Sequence, residues 1–245
     1  MYHEIDFPEN TVAKIKAIRS APVLQRALGN SGDVEISQTG DSLHSPGYHI
    51  HALDLRELSK HARPLSSTTP SDATIESPVP TPPSLLRDVD DSLPTLLISE
   101  CCLIYLSPEE ADNVVQYFTK TLLHDIPLGL IIYEPIRPDD PFGRTMVANL
   151  ATRGIQLQTL NKYSTLDAQR TRMRDQGLKT GQAAADIDFI WQRWVSEEEK
   201  ERVAGLEMLD EMEEWKLLAA HYCISWGWRG NEFGSGCWGD IDAQE

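Results

Sequence analysis

Basic residues are scarce in this chain. Across 245 residues, 22 Lys and Arg face 38 Asp and Glu, a formal net charge of −16. Recognition of nucleic acid needs a basic patch, so that deficit argues against a nucleic-acid partner and favours neutral, basic or small ones. Long apolar runs are also lacking, since none approaches the roughly 18 residues of a membrane span. The opening MYHEIDFPEN has neither the basic nor the apolar region of a secretory signal. Cysteine is sparse, at positions 101, 102, 223 and 237. Neighbours such as Cys101 and Cys102 point to opposite faces of a strand and have no metal-ligand spacing. Reduced, buried thiols in a cytosolic or nuclear protein are the expectation, with the cytoplasm as the expected location. There is no G-x-S-x-G elbow and no G-x-x-x-x-G-K-[ST] loop, which disfavours a serine hydrolase or a P-loop enzyme. Seven histidines are scattered, and His49 and His51 alternate on one strand face without a third ligand at close spacing, so no metal is expected.

What is present suits a packed α/β protein, since 40% of the residues are hydrophobic. YHEIDF (2–7) alternates as a strand, and Val12, Ile15 and Ile18 then mark one side of a helix, with Leu24 and Leu28 candidates to extend it. GYHIHALDLREL (47–58) reads as a strand ending near Asp54, then a turn and short helix. Residues 64–84 contain 6 Pro and 9 Ser or Thr in 21 positions, too little apolar material to pack, so 61–92 is expected to be a disordered insertion. PTLLISECCLIYL (94–106) reads as a continuous apolar strand of a parallel sheet. Ser107, Pro108 and Glu110 open a helix with a capping box. A strand follows at 127–136, helices at 139–154 and in STLDAQRTRMRDQG (closed by Gly177), a short strand from 181, acidic helical material at 196–222, and a last strand at 222–230. Alternation of strand and helix is the pattern of a doubly wound, mostly parallel sheet.

In such sheets ligands bind outside the carboxyl ends of the strands. Asp6, Asp54 and Glu100 fall near those ends. An acid ending a strand of a nucleotide-binding unit holds ribose hydroxyls, and Glu4 competes with Asp6 for that role. Asp54 beside Leu55 can hold an adenine, the carboxylate on the amino group and the leucine on its face. The blander use of each acid is to cap the next helix. Glu100 stands apart because its apolar neighbours suggest burial, where a carboxylate must be paired or functional. The acidic run Glu197 to Glu201 reads as a solvated helix start, and Trp226 and Trp228 as core.

Taken in order, PTLLISECCLIYLSPEEA, IIYEPIRPDDPFGRTMVANL and LEMLDEMEEWKLLAAHYCISW resemble the leucine carboxyl methyltransferases. YHEIDFPENTVAKIKAI resembles that family's second strand and helix, and ALDLREL its third strand. The resemblance omits only 61–92 and the last dozen residues. Its specificity lies in the ordered set D-F-P, D-L-R-x-L, E-C-x-L-x-Y and L-D-E-M-E. It implies a Rossmann-like fold dependent on S-adenosylmethionine, and methyl transfer to the C-terminal leucine carboxylate of the type 2A protein phosphatase catalytic subunit. It further implies that Asp6 binds the cofactor ribose, Asp54 and Leu55 frame the adenine, Glu100 lines the methionine side and Tyr105 lies near the reacting groups. The family's glycine-rich first strand-turn and basic N-terminal helices have no counterpart before Tyr2, and Arg137 and Arg144 are poor replacements for the arginine that grips the substrate carboxylate. The expectation is therefore one monomeric methyltransferase-like domain over 1–245, N-terminally truncated and barely active alone. A non-catalytic phosphatase-binding remnant is the alternative.

Overall fold

Strand β1 (Tyr2–Asp6) forms where YHEIDF alternates, and Pro8 at the first helical position starts α1 (Pro8–Ser20) immediately behind it. In the computed structural model, residues 1–62, 85–206, 212–234 and 236–244 are described. They divide into two units, Met1–Asp90 and Asp91–Glu245.

In the first unit α1 buries Ile15 and Ile18 as expected, while Val12 is exposed and Thr11 takes its place in the buried stripe. Pro22 breaks the helix and begins α2 (Pro22–Ala27). The short strands β2 (Glu35–Ile36) and β3 (Leu43–His44) lead to β4 (Tyr48–Ala52). The sheet order is β1-β4-β3-β2, with β1 and β4 parallel and the other pairings antiparallel. Ile15, Ile18, Leu43 and Ile50 form its core. Helix α3 (Leu55–Lys60) follows, and the Asp54 carboxylate caps it by accepting from the Arg56 amide at 2.9 Å. Residues 63–84 of the expected insertion lie outside the described residues. Just past them, Leu86 is buried and Arg87 pairs with Glu35 at 2.8 Å.

The second unit carries β5 (Thr95–Glu100), α4 (Pro108–Gln116), β6 (Leu128–Pro135), α5 (Pro141–Thr152) and α6 (Leu166–Asp175). It continues with β7 (Gly181–Asp186), α7 (Ile187–Arg193), α8 (Glu197–Ala204), α9 (Met212–Ala219) and β8 (Tyr222–Arg229). Its order is β5-β6-β8-β7, in which β5 and β6 are parallel while β8 runs antiparallel to both neighbours. The α/β class is as read, but each described sheet is mixed, and a doubly wound, mostly parallel sheet is not what the two units display. The capping box of α4 is present as expected: Ser107 and Glu110 each accept from the other's backbone amide.

Strand β5 stops at Glu100, short of the expected 106, because Cys101 takes a left-handed conformation (φ 43°) and turns the chain into a 3-10 segment over 103–105. One face of the sheet packs under α6. Gly227 of β8 lets that helix approach, since a Cβ there would press on the Met173 side chain at 2.9 Å. The opposite face holds Ala185, Trp226 and Trp228. Beneath α6, Arg172 donates to Glu134 of β6 at 2.9 Å, and both side chains have no solvent exposure. Its guanidinium lies 4.2 Å from the centre of the Tyr163 ring, and the Tyr163 hydroxyl donates to Asp112 of α4 at 2.5 Å. Burial, reinforced by that bond, pushes the Tyr163 phenol up to about 12.

Two tests follow from these contacts. Glu134→Ala or Arg172→Ala leaves one buried charge unpaired, and chemical denaturation is expected to show a loss of about 3–5 kcal/mol. The double variant Glu134→Leu/Arg172→Met removes both charges and is expected to lose less than either single change. Asp54→Ala removes a cap, at about 1 kcal/mol. The Arg56 side chain holds the Asp54 carboxyl below its ordinary value. That stability is therefore present above the unfolded carboxyl value, about pH 4, and the gap between wild type and Asp54→Ala should close as pH falls through the lower folded value.

Candidate functional site

The carboxyl ends of β1 and β4 are held side by side. Asp6 pairs in register with Ala52, and the Leu53 amide donates to the Asp6 carbonyl at 2.9 Å. Asp6 and Asp54 thus leave neighbouring parallel strands at one edge, as the sequence suggested. The Asp6 Oδ1 accepts from the Phe7 amide at 2.7 Å and from Asn10 Nδ2 at 3.0 Å, which leaves Oδ2 without a bond among the described residues. Asp54 is more engaged: besides capping α3, both its oxygens accept from Arg56, the shortest bond being 2.6 Å. Leu55, the first residue of α3, is half-buried beside it. Glu4 alternates with Asp6 but is committed elsewhere, because Tyr48 donates to it at 2.8 Å and Lys14 of α1 pairs with it. Its carboxylate is part of the sheet-helix framework, and Asp6 is the freer acid.

In the second unit, Glu100 ends β5 opposite Tyr133. The expectation that it is buried fails. Leu96, Ile98 and Glu100 share one face of an edge strand, and all three are exposed. The carboxylates that the sheet does bury are Glu134 and Asp186, each paired with an arginine. Around the end of β5 the chemistry is phenolic and thiol. Cys101, its amide bonded to the Tyr133 carbonyl at 2.9 Å, has a thiol pushed up to about 11 by burial, then by Glu134 and Glu100. Burial likewise lifts the Tyr133 phenol to about 12, and its ring stacks on Tyr222 at 5.5 Å. Tyr105 is exposed, its phenol raised mainly by burial of its inner edge and then by Cys101 and Cys102. Its carbonyl accepts from Gln158 at 2.6 Å.

Phenols and thiols held above their ordinary values stay protonated at neutral pH. The edge therefore offers an exposed carboxylate and hydroxyl dipoles, and its chemistry is binding and orientation. Arg137, which sequence reasoning left unattached, is anchored: it sits just beyond β6 at φ 56° and donates to Asp186 at 2.9 Å. Asp186, at the end of β7, also caps α7 through the Phe189 amide at 2.8 Å. Arg144 is tied to the Asp139 carbonyl. The signal for the Arg137–Asp186 pair was weak, because its partners are 49 residues apart. Tyr133 and Tyr222 were missed for a similar reason: the antiparallel β6–β8 pairing that joins them is a tertiary fact.

No family model matches the chain. Individual proteins do. The chain is 66% identical over 235 residues to leucine carboxyl methyltransferase 1 of Aspergillus fumigatus, a match covering 93% of this chain and 58% of that protein. The protein of the same name from Emericella nidulans is 60% identical over 249 residues, covering 100% of this chain and 62% of the relative. The Schizosaccharomyces pombe protein is 38% identical over 222 residues, covering 91% and 62%. The chain spans about three-fifths of the length of these curated relatives. Over the residues that it spans, the chain is similar throughout to proteins named leucine carboxyl methyltransferase 1.

Proposed function

We propose that this chain serves methyl transfer from S-adenosylmethionine to the C-terminal leucine carboxylate of the type 2A protein phosphatase catalytic subunit. The observation that carries the reading is the 66% identity to a protein named leucine carboxyl methyltransferase 1. The residues present fit the donor's chemistry. Asp6, with one carboxylate oxygen open at a parallel-strand end, suits the vicinal hydroxyls of a ribose. Asp54 and Leu55, on the adjoining turn, supply a hydrogen-bond acceptor and an apolar edge for an adenine. In the second unit, Glu100 suits the donor's ammonium group, and Tyr105 presents a protonated hydroxyl near the reacting groups.

When bound, the donor supplies an electrophilic methyl group on a sulfonium. A leucine carboxylate is already ionised at neutral pH, so no general base is called for. The contribution left to the protein is alignment of carboxylate oxygen and methyl carbon, with water kept out. The protonated phenols at the end of β5 and β6 in the second unit are consistent with that role. A finer fold reading goes with this function: the parallel pairs β1–β4 and β5–β6 are the elements a doubly wound, Rossmann-like sheet contains.

Calorimetry with S-adenosylmethionine, and mass spectrometry of the phosphatase C-terminus after incubation with donor and chain, test the proposal. Donor binding with at most a trace of leucine methyl ester from the chain alone is the expected result, with weaker donor binding in Asp6→Asn at unchanged thermal stability. Phosphatase binding with neither donor binding nor ester would overturn it in favour of a non-catalytic phosphatase-binding module.

A further inference from the structure

Four histidines converge on one face of the first sheet. His44 of β3 stands opposite His49 of β4, and His49 pairs with His3 of β1. The His3 and His49 rings stack at 4.6 Å and 9°, while His3 Nδ1 meets His51 Nε2 at 3.0 Å. Asp88 reaches the same spot from the turn after Leu86. Its backbone is left-handed (φ 62°), a conformation that aspartate adopts more readily than most residues.

His44 and His49 are within hydrogen-bond distance of each other, and it is the contacts to Asp88 that point to a ligand set. His44 Nδ1 and His49 Nδ1 lie 3.1 Å apart, and Asp88 Oδ2 lies 3.5 Å from the first and 3.7 Å from the second. Both carboxylate contacts are too long for good N–H···O bonds. They are, however, the separations of neighbouring ligands: tetrahedral bonds of about 2.0 Å place ligand atoms about 3.3 Å apart. The circle through the three atoms, drawn from those three distances, has a radius of about 2.0 Å, so an ion about 2.1 Å from each of them sits about 0.6 Å out of their plane, close to the place a tetrahedral site requires.

The surroundings also suit an ion. Asp88 is 42% exposed, which leaves a path from solvent and room for a water ligand. Its ligating oxygen accepts from Arg87 Nε at 3.2 Å, and Arg87 in turn pairs with Glu35, so the carboxylate is oriented from behind. The His3 ring stacked on His49 fixes the plane of that imidazole.

We propose that His44, His49 and Asp88 form a zinc site that clips the turn following residues 63–84 onto strands β3 and β4. Nothing in the proposed methyl transfer needs this ion, so its role is structural and confined to the first unit.

The test uses the whole 245-residue chain, stripped with chelator and titrated with Zn2+ alone, with thermal unfolding followed in parallel. One saturable Zn2+ per chain, accompanied by a rise in Tm, is expected. His44→Gln and Asp88→Asn should each weaken binding by at least about tenfold and abolish the rise in Tm. Asp88 lies on an exposed turn, so Asp88→Asn remains decisive if His44→Gln misfolds. Absence of saturable binding, or Zn2+ binding that Asp88→Asn leaves unchanged, would overturn the site.

Discussion

The second unit is organised around a charge that has no access to water. Arg172 enters from α6 and meets Glu134 on the central strand β6, both fully buried. Taking two such charges out of solvent costs several kcal/mol each, and only close, well-oriented contact offsets it. Two groups provide that contact, and a third holds one of them. The carboxylate lies 2.9 Å away, the Tyr163 ring receives the guanidinium face at 4.2 Å, and Tyr163 is itself held by Asp112 of α4. The pair therefore links more than one helix: α4, the segment around Tyr163, α6 and β6 meet around it, although Glu134 Oε1 and Arg172 Nε and Nη2 keep no hydrogen-bond partner among the described residues. Apolar packing under α6 sets the distance of approach instead, Met173 lying over Gly227 where a Cβ would not fit.

That anchoring places the end of β6, and with it the strand ends that carry the proposed chemistry. Glu134 is the penultimate residue of its strand, and Arg137 lies three residues on. At this edge Arg137 is held by Asp186, while Tyr133 stacks on Tyr222 beside Glu100. In the first unit the parallel β1–β4 pair sets Asp6 and Asp54 at one edge by the same geometry. Parallel pairing does this without any specific side-chain contact, since strands running the same way must end on the same side.

How far this was legible in the sequence depends on the range of the interaction. Local signals read well: Ser107 with Glu110 and Asp54 before α3 are caps written within four residues. Strand identities followed from apolar runs, and the tryptophans of β8 are core as expected. Glu100 was misread because LISECC and LIIYEPI look alike, each an acid at the end of an apolar run. Which acid is buried depends on which face a helix covers and on a partner arginine 38 residues from Glu134. Sheet polarity was misread for a related reason. A strand's direction leaves no trace in its composition, and β8 is as apolar as a parallel strand. The histidine cluster escaped because its third ligand, Asp88, lies beyond residues 63–84, far from His44 and His49 in the chain.

The central claim is that the acids at these parallel-strand ends receive the methyl donor. Hydrogen–deuterium exchange of the chain with and without S-adenosylhomocysteine tests it most directly. The account predicts slowed exchange in the segments around Asp6, Asp54 to Leu55 and Glu100 to Tyr105, with little change in α6. Unchanged exchange in those three segments at saturating ligand, or protection confined to other parts of the chain, would contradict it.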